Sequence, residues 1–431
     1  MRGHIVYFAR RPNDLDHVVP VLWNWLERGA GRVDVVPIGN PSLAQDPRLR
    51  FLERFEAVKV WGLGDLVSRE LYRPYERYWQ TRPSLTPSKL KRAWNRHVVR
   101  PPKDYGTILG TLAEPLLRKF ADKANRSTVL LDWACDGDDR LHFDNVLHSL
   151  KDSMGFTTVA MPHGDEPHHT ALGMTGLHAV DPARACVSYK NCGRFDYVVA
   201  PNEPCATRFR GHVPDSRLKV LGSARFSRAW VASGASEVFG EQSQENVGRP
   251  FVVMFLRDLG YPVFWEEVLR TFDLLSHSGA RLIVQRHLTD NASRKMDRMY
   301  PGLRLGDHGS YAVTADPAAS GWLASHAAAV IDLGTSICFE SVRLGVPVIS
   351  PEYLHATHTW VSLLMPSTRA YDRCGLLEAV QKAVAAPGAP NYSPEERRTF
   401  VETMLDVPDE HVLERHTEFL LRSVQQRQSA A

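Results

Sequence analysis

The stretch Ala327–Ser350, AAAVIDLGTSICFESVRLGVPVIS, decides the reading of the chain. Val330 and Ile331 form a short apolar run that stops at Asp332. Gly334, Thr335 and Ser336 then make a small-residue turn, and Gly345 and Pro347 bracket a second apolar run. That order spells strand, tight turn, short helix, strand. Cys338 and Val342 stand four apart and Ile337 and Leu344 seven apart, so a helix gathers apolar side chains on one side and leaves Glu340 and Arg343 wet. Gly345 is a natural helix stop. N–H groups at the start of that helix, with the positive end of its dipole, favour an anion, so Gly334, Thr335 and Ser336 offer a seat for a phosphate or diphosphate. The competing reading is a plain helix cap by Thr335 or Ser336.

Working outward, the same rhythm recurs on both sides of a soft stretch. Residues 4–9 (HIVYFA) and 33–38 (VDVVPI) read as buried strands around a helix at VPVLWNWL, with Arg10, Arg11 and Asn13 at the end of the first strand. A helix is expected near Ile108–Ala124, followed by further strands at Val129–Trp133, Thr157–Met161, Phe195–Ala200 and Leu218–Leu221. Residues 231–249, VASGASEVFGEQSQENVGR, are small, polar and glycine-dotted and read as a linker. FVVMFL at 251–256 restarts the pattern, followed by a helix at WEEVLRTFDLL, a strand at Arg281–Val284 running into His287, and edge pieces at Leu303–Leu305 and Tyr311–Val313. The expected architecture is α/β, with two Rossmann-like doubly wound domains facing across a cleft. The first spans 1–230, the linker 231–249 and the second 250–392, and C-terminal helices at 393–431 begin on a Ser393-Pro394-Glu395-Glu396 capping box.

Composition narrows the class. Across 431 residues the apolar content is 43% and the charged content 23%, as in globular proteins with sizeable cores. A net charge of +3 is too balanced to argue for nucleic acid. Six cysteines without a C-x-x-C pair suggest neither a zinc site nor a disulfide framework. The first apolar run is short and closed by charge, so no signal peptide is expected, and no window is long and apolar enough to span a membrane. A cytoplasmic enzyme fits, either free or at the inner face of the cell membrane.

Three loops carry chemistry. Residues 72–103 hold nine Lys/Arg interleaved with tyrosine and tryptophan, within an excursion from the βα rhythm at about 63–103. Such a surface suits an anionic glycan, a phospholipid headgroup or a nucleic acid; the competing reading is solvated basic helices packed by their aromatics. The acidic turn Asp136, Asp138, Asp139 follows a strand, where either metal binding or the turn preference of Asp-Gly accounts for it. The turn PHGDEPHHT places His163, Gly164, Asp165, Glu166, His168 and His169 within seven residues. Acids and imidazoles there can exchange protons near neutral pH, and Gly164 lets backbone approach a ligand.

The order of these turns resembles that of GT-B-fold glycosyltransferases, and more closely the bacterial capsule and teichoic-acid enzymes: Kdo transferases, polysialyltransferases and CDP-glycerol glycerophosphotransferases. The resemblance spans roughly residues 129–350. It implies that His163-Gly164 lies on the acceptor side, that His287 binds the nucleotide, that Thr335 and Ser336 bind phosphate and that Glu340 contacts the ribose. Asp136-Gly137 is similar to the base-bearing motif of the polysialyltransferases, with Cys135 in place of the preceding acid. His287-Leu288 stands where the families carry His-Pro. Leaving-group chemistry adds Arg257 as a cation, and an incoming hydroxyl needs Asp165, Asp136 or His163 as base, with no metal required.

The implied activity is transfer of a sugar from a nucleotide-activated donor, with CMP-Kdo favoured over CDP- or UDP-linked donors, to a surface polysaccharide or glycolipid. No permanently bound cofactor is expected, and the acceptor is compatible with peripheral membrane association. Alternatives are transfer of a polyol phosphate from CDP-glycerol or CDP-ribitol, a UDP-N-acetylglucosamine 2-epimerase-like reaction, and a non-catalytic glycan-binding subunit. Against the epimerase stand Asp332-Leu-Gly-Thr-Ser in place of Asp-Ser-Gly-Gly, and the basic-aromatic excursion.

Overall fold

Alternation along the first strand sets the layers of the N-terminal half. In the computed structural model, which describes residues 3–82, 88–99, 104–121, 127–164, 188–234, 250–257, 263–275, 277–286, 296–315, 319–355, 358–405 and 411–426, β1 (Gly3–Ala9) is buried on both faces. Ile5, Tyr7 and Ala9 enter one apolar cluster while Val6 and Phe8 enter another, so helices must cover both sides of the sheet. The helix Pro12–Glu27 and the C-terminal helix Val412–Gln426 line one side, and Tyr105–Phe120 and Leu141–Met154 line the other. The sheet adds β2 (Gly31–Pro37), β3 (Val58–Val60), β4 (Thr128–Asp132), β5 (Thr157–Met161), β6 (Tyr197–Ala200) and β7 (Leu218–Val220). Its order is β3-β2-β1-β4-β5-β6-β7, parallel throughout. The order reverses between β1 and β4, where a parallel sheet opens a crevice at its carboxyl edge.

The second sheet repeats the plan. It comprises β8 (Phe251–Phe255), β9 (Arg281–Gln285), β10 (Gly306–Asp307), β11 (Tyr311–Thr314), β12 (Ala329–Ile331), β13 (Val348–Pro351) and β14 (Arg369–Ala370), in the order β10-β11-β9-β8-β12-β13-β14. Only the edge pair β10–β11 is antiparallel. Its switch point lies between β8 and β12. The chain divides into two compact units. One holds the described residues from 3 to 164, 188 to 234 and 411 to 426, and the other holds those from 250 to 405. The expected linker at 231–249 lies outside the described residues beyond Gly234.

Local differences from the sequence expectation have simple causes. The first helix starts at Pro12, well before the apolar periodicity at Val19, because Arg11 is an extended N-cap whose N–H donates to Asp14 Oδ2 at 2.8 Å, with proline preset at the first helical position. Leu303 ends a 3-10 turn, Pro301–Leu303, and the edge strand falls at Gly306–Asp307 instead of Leu303–Leu305. The Ser393 capping box forms as expected, with reciprocal bonds of 3.1 and 2.8 Å between Ser393 and Glu396.

The basic-aromatic excursion splits in two. In the helix Arg69–Gln80, Tyr75 is buried and its hydroxyl donates to Gly39 O at 2.5 Å, while Tyr78 stacks on Tyr105 at 5.0 Å, so aromatics dock this half onto the sheet. The turns at Lys89–Val99 behave differently, with Leu90, Trp94 and Val98 exposed.

Candidate functional site

The carboxyl edge of the first sheet gathers charge at its switch point. Arg10 follows β1, Asp132 closes β4 and His163 follows β5, so three strand ends deliver side chains to one place. The helix Pro12–Glu27 adds Asp14 from its first turn. Asp14 Oδ1 sits 2.7 Å from His163 Nδ1, and Asp132 Oδ2 lies 3.7 Å from the same nitrogen. A carboxylate accepts, so Nδ1–H donates to it and Nε2 is the ring nitrogen left to face a ligand. Asp14 is fully buried and is held on its other oxygen by Arg11 N–H, whereas the His163 ring is partly exposed with no hydrogen bond at Nε2 among the described residues. A carboxylate-oriented imidazole with one free nitrogen is equipped to take or give a proton.

Beneath it lies a buried ionic network. Arg10 bonds to the Asp132 carboxylate, to Asp132 O at 2.6 Å and to Asp144 Oδ1 at 2.6 Å. Arg140 bonds to Asp132 and, at 2.7 Å, to Asp138 Oδ2. Burial works to raise the Asp132 carboxyl, but Arg10, Arg140 and His163 together outweigh it and hold Asp132 below the usual carboxylate range. Burial likewise opposes ionisation of Asp138, yet the hydrogen bonds and charge of Arg140 bring it down to about 2. Asp144 goes the other way: burial dominates the pull of Arg10 and pushes it up to about 6. Ligand atoms of Asp14, Asp132 and His163 lie within 4.8 Å of one another, a spacing that suits a metal ion. Two guanidiniums and the imidazole already occupy those oxygens, so the donor set is satisfied without a cation.

Of the residues expected to do proton chemistry, His163 enters this cluster and Asp165 lies outside the described residues. Asp136 belongs to a different contact: its carboxylate accepts from the Ser188 hydroxyl and from Asn191 Nδ2 at 2.6 Å, and its N–H donates to Ser188 O at 2.8 Å. Slight burial works to raise it, but those bonds hold the Asp136 carboxyl below its ordinary value, which makes it a weaker base. Sequence reasoning passed over Asp14, Asp132, Arg140 and Asp144. The available signal was Asp132 closing the buried run TVLLD, a carboxylate where an apolar strand ends.

In the second unit, the turn after β12 has the anticipated form. Gly334 adopts φ +78°, and buried Asp332 shapes the turn by accepting from Gly334 N–H at 2.8 Å and from the Ser350 hydroxyl at 3.2 Å. The helix Ile337–Leu344 follows and ends on Gly345 at φ +80°. Ser336 is the N-cap residue but makes no side-chain cap bond, and Thr335 turns its hydroxyl to Cys338 Sγ at 3.4 Å. The first N–H groups of the helix therefore lack a hydroxyl cap. Glu340 lies on the same helix, and Arg257 stands just past β8, the strand paired with β12. His287 lies outside the described residues; its neighbour Arg286 is buried and bonds to Asp297 at 2.6 Å and to Leu303 O at 2.7 Å.

No family model matches the sequence, and neither does any curated protein. Solved structures do match in fold. A UDP-GlcNAc 2-epimerase from Neisseria meningitidis bound to UDP-GlcNAc aligns over 98% of this chain and 100% of its own, with a TM-score of 0.52 and 10% identity. The enzyme of the same name from Methanocaldococcus jannaschii aligns over 98% and 100%, at 0.53 and 12%. A UDP-N-acetylglucosamine 2-epimerase from Rickettsia bellii aligns over 99% and 96%, at 0.53 and 11%. The fold is of the GT-B type. These neighbours are epimerases, not the capsule and teichoic-acid transferases whose order of turns the sequence resembles. What they have in common with this chain is the fold.

Proposed function

We propose that this protein is an enzyme acting on a UDP-linked amino sugar, with epimerase-like proton chemistry. The observation that carries the reading is the Asp14–His163 pair at the switch point of the first sheet, an imidazole fixed through Nδ1 with no partner at Nε2 among the described residues. Inverting a sugar carbon that bears hydrogen, by a non-redox route, requires a proton to be taken from one face and returned to the other. His163 is one agent of that exchange, and Asp165 is the second candidate. The uncapped turn Gly334-Thr335-Ser336 is assigned to the diphosphate, with Glu340 at the ribose and Arg257 and His287 as neutralising partners. UDP is preferred to CMP or CDP because a fold neighbour was solved with UDP-GlcNAc bound.

A second reading, sugar transfer to an acceptor hydroxyl, is favoured by the exposed basic and apolar surface at Lys89–Val99. Incubating the protein with UDP-GlcNAc in deuterium oxide and following ring protons by NMR separates the two. Epimerisation washes deuterium into the sugar and yields a second sugar configuration without an acceptor. Transfer releases UDP only when an acceptor is added and leaves the ring protons intact. A thermal-shift panel of CMP, CDP, UDP and GDP tests the nucleotide, since a ligand that binds only the folded state raises stability by mass action. The largest rise is expected with UDP, and a preference for CMP would restore the Kdo-type donor.

A further inference from the structure

We propose that the helical segment Lys89–Val99 is a docking surface for an anionic lipid bilayer. Its outward face is apolar where a helix on a globular surface is ordinarily polar. Leu90 is 85% exposed, Trp94 64% and Val98 55%, and they recur at four-residue spacing so that they share one side. The opposite side is anchored: Asn95 is buried, and its Nδ2 donates to Gln80 O at 3.0 Å, tying the segment to the docked helix Arg69–Gln80. The apolar face is therefore held outward and does not pack onto the body of its own unit.

Charge selects the occupant. Eight Lys/Arg and no Asp/Glu fall between Glu76 and Asp104, and Lys89, Lys91 and His97 are exposed beside the apolar stripe. Large apolar side chains flanked by cations match a bilayer interface, where apolar groups enter the acyl boundary and cations meet lipid phosphates. Nucleic acid would reward stacked aromatic rings, and this face offers Trp94 alone. A second copy of the chain would have to bring acidic groups to meet the same cations. The surface shares no residue with the proton-transfer cluster, so its test is independent of the catalytic reading.

Flotation of the full chain with vesicles decides the question. Vesicles of phosphatidylcholine with about one third phosphatidylglycerol should carry the protein upward, whereas phosphatidylcholine alone should not, and added salt should weaken the binding. The pair Leu90→Ser and Trp94→Ser should lower partitioning at least about tenfold, and so should Lys89→Glu with Lys91→Glu, while the thermal unfolding of both variants stays that of the parent. Failure of the parent to float with anionic vesicles, or equal flotation of both variants, overturns the proposal. So does a parent that is dimeric by light scattering and becomes monomeric on the Leu90 and Trp94 substitutions, which would assign the face to a second copy.

Discussion

An imidazole gripped at Nδ1 by a buried carboxylate is a more effective proton carrier than one free to rotate, because its tautomer and ring plane are set before substrate arrives. His163→Ala is expected to lower turnover of a UDP-linked sugar by about 10²–10⁴-fold, with the UDP-induced thermal shift retained because the nucleotide is assigned to the other unit. Steady-state rates and melting curves with UDP check both halves; a variant with parental turnover removes His163 from the mechanism. A second residue-level consequence concerns Asp144. Its carboxyl is pushed up to about 6 by burial, so between the ordinary carboxylate range and that value the folded state binds the proton the unfolded chain releases. Its stabilising contribution is therefore complete below pH of about 4 and lost as pH rises through about 6, by no more than about 3 kcal/mol. Urea unfolding of the parent and Asp144→Asn across that range should show the variant gaining on the parent as pH rises, and parallel curves would contradict the placement of Asp144. Of this cluster His163 was legible in the sequence, and its buried partners were not. Asp14, Asp132 and Asp144 lie on separate stretches of chain, and only the parallel sheet brings their ends together.

Elements were read more securely than sites. β12, the turn, the helix Ile337–Leu344 and β13 fall where the sequence reading puts them, because two apolar runs, a glycine turn and a glycine stop are all local signals. The end of the helix is turned differently: Arg343, expected in solvent, is buried, and Leu344, expected on the apolar side, is exposed. The helix Pro12–Glu27 was placed too late, since its first turn is set by Arg11, Pro12 and Asp14 and not by apolar periodicity. What local signals leave open is whether the turn after β12 binds anything. Ser336→Trp fills the mouth of the turn and should abolish the UDP-induced thermal shift. Gly345→Ala forces a side chain into φ +80° and should cost about 1 kcal/mol in urea unfolding while the UDP shift persists. Loss of the shift in both variants would mean that nucleotide binding follows the stability of the helix, and retention in both would remove the phosphate seat.

At the scale of the whole chain, the first unit is completed by its most distant piece of sequence. The helix Val412–Gln426 packs along Pro12–Glu27, with Leu413 and Leu420 buried in the cluster that holds Val19, Leu22 and Trp25. His416 Nε2 meets Gly222 O at 3.1 Å, just past β7, and the Thr417 hydroxyl donates to Asn24 Oδ1 at 2.8 Å. Each buried leucine contributes on the order of 1.5–3 kcal/mol, and removing the helix would also expose the apolar face it covers. A chain ending at Leu405 keeps every strand of the second sheet and loses this cover from the first. Hydrogen exchange should then accelerate in β1 and in Pro12–Glu27, while β8 and β12 retain their protection because their core is built from residues of the second unit. Equal loss of protection in both sheets would mean that the second unit cannot stand without the first. In that case nucleotide binding and proton transfer would fail together on truncation, where separable units predict that UDP binding survives the loss of turnover.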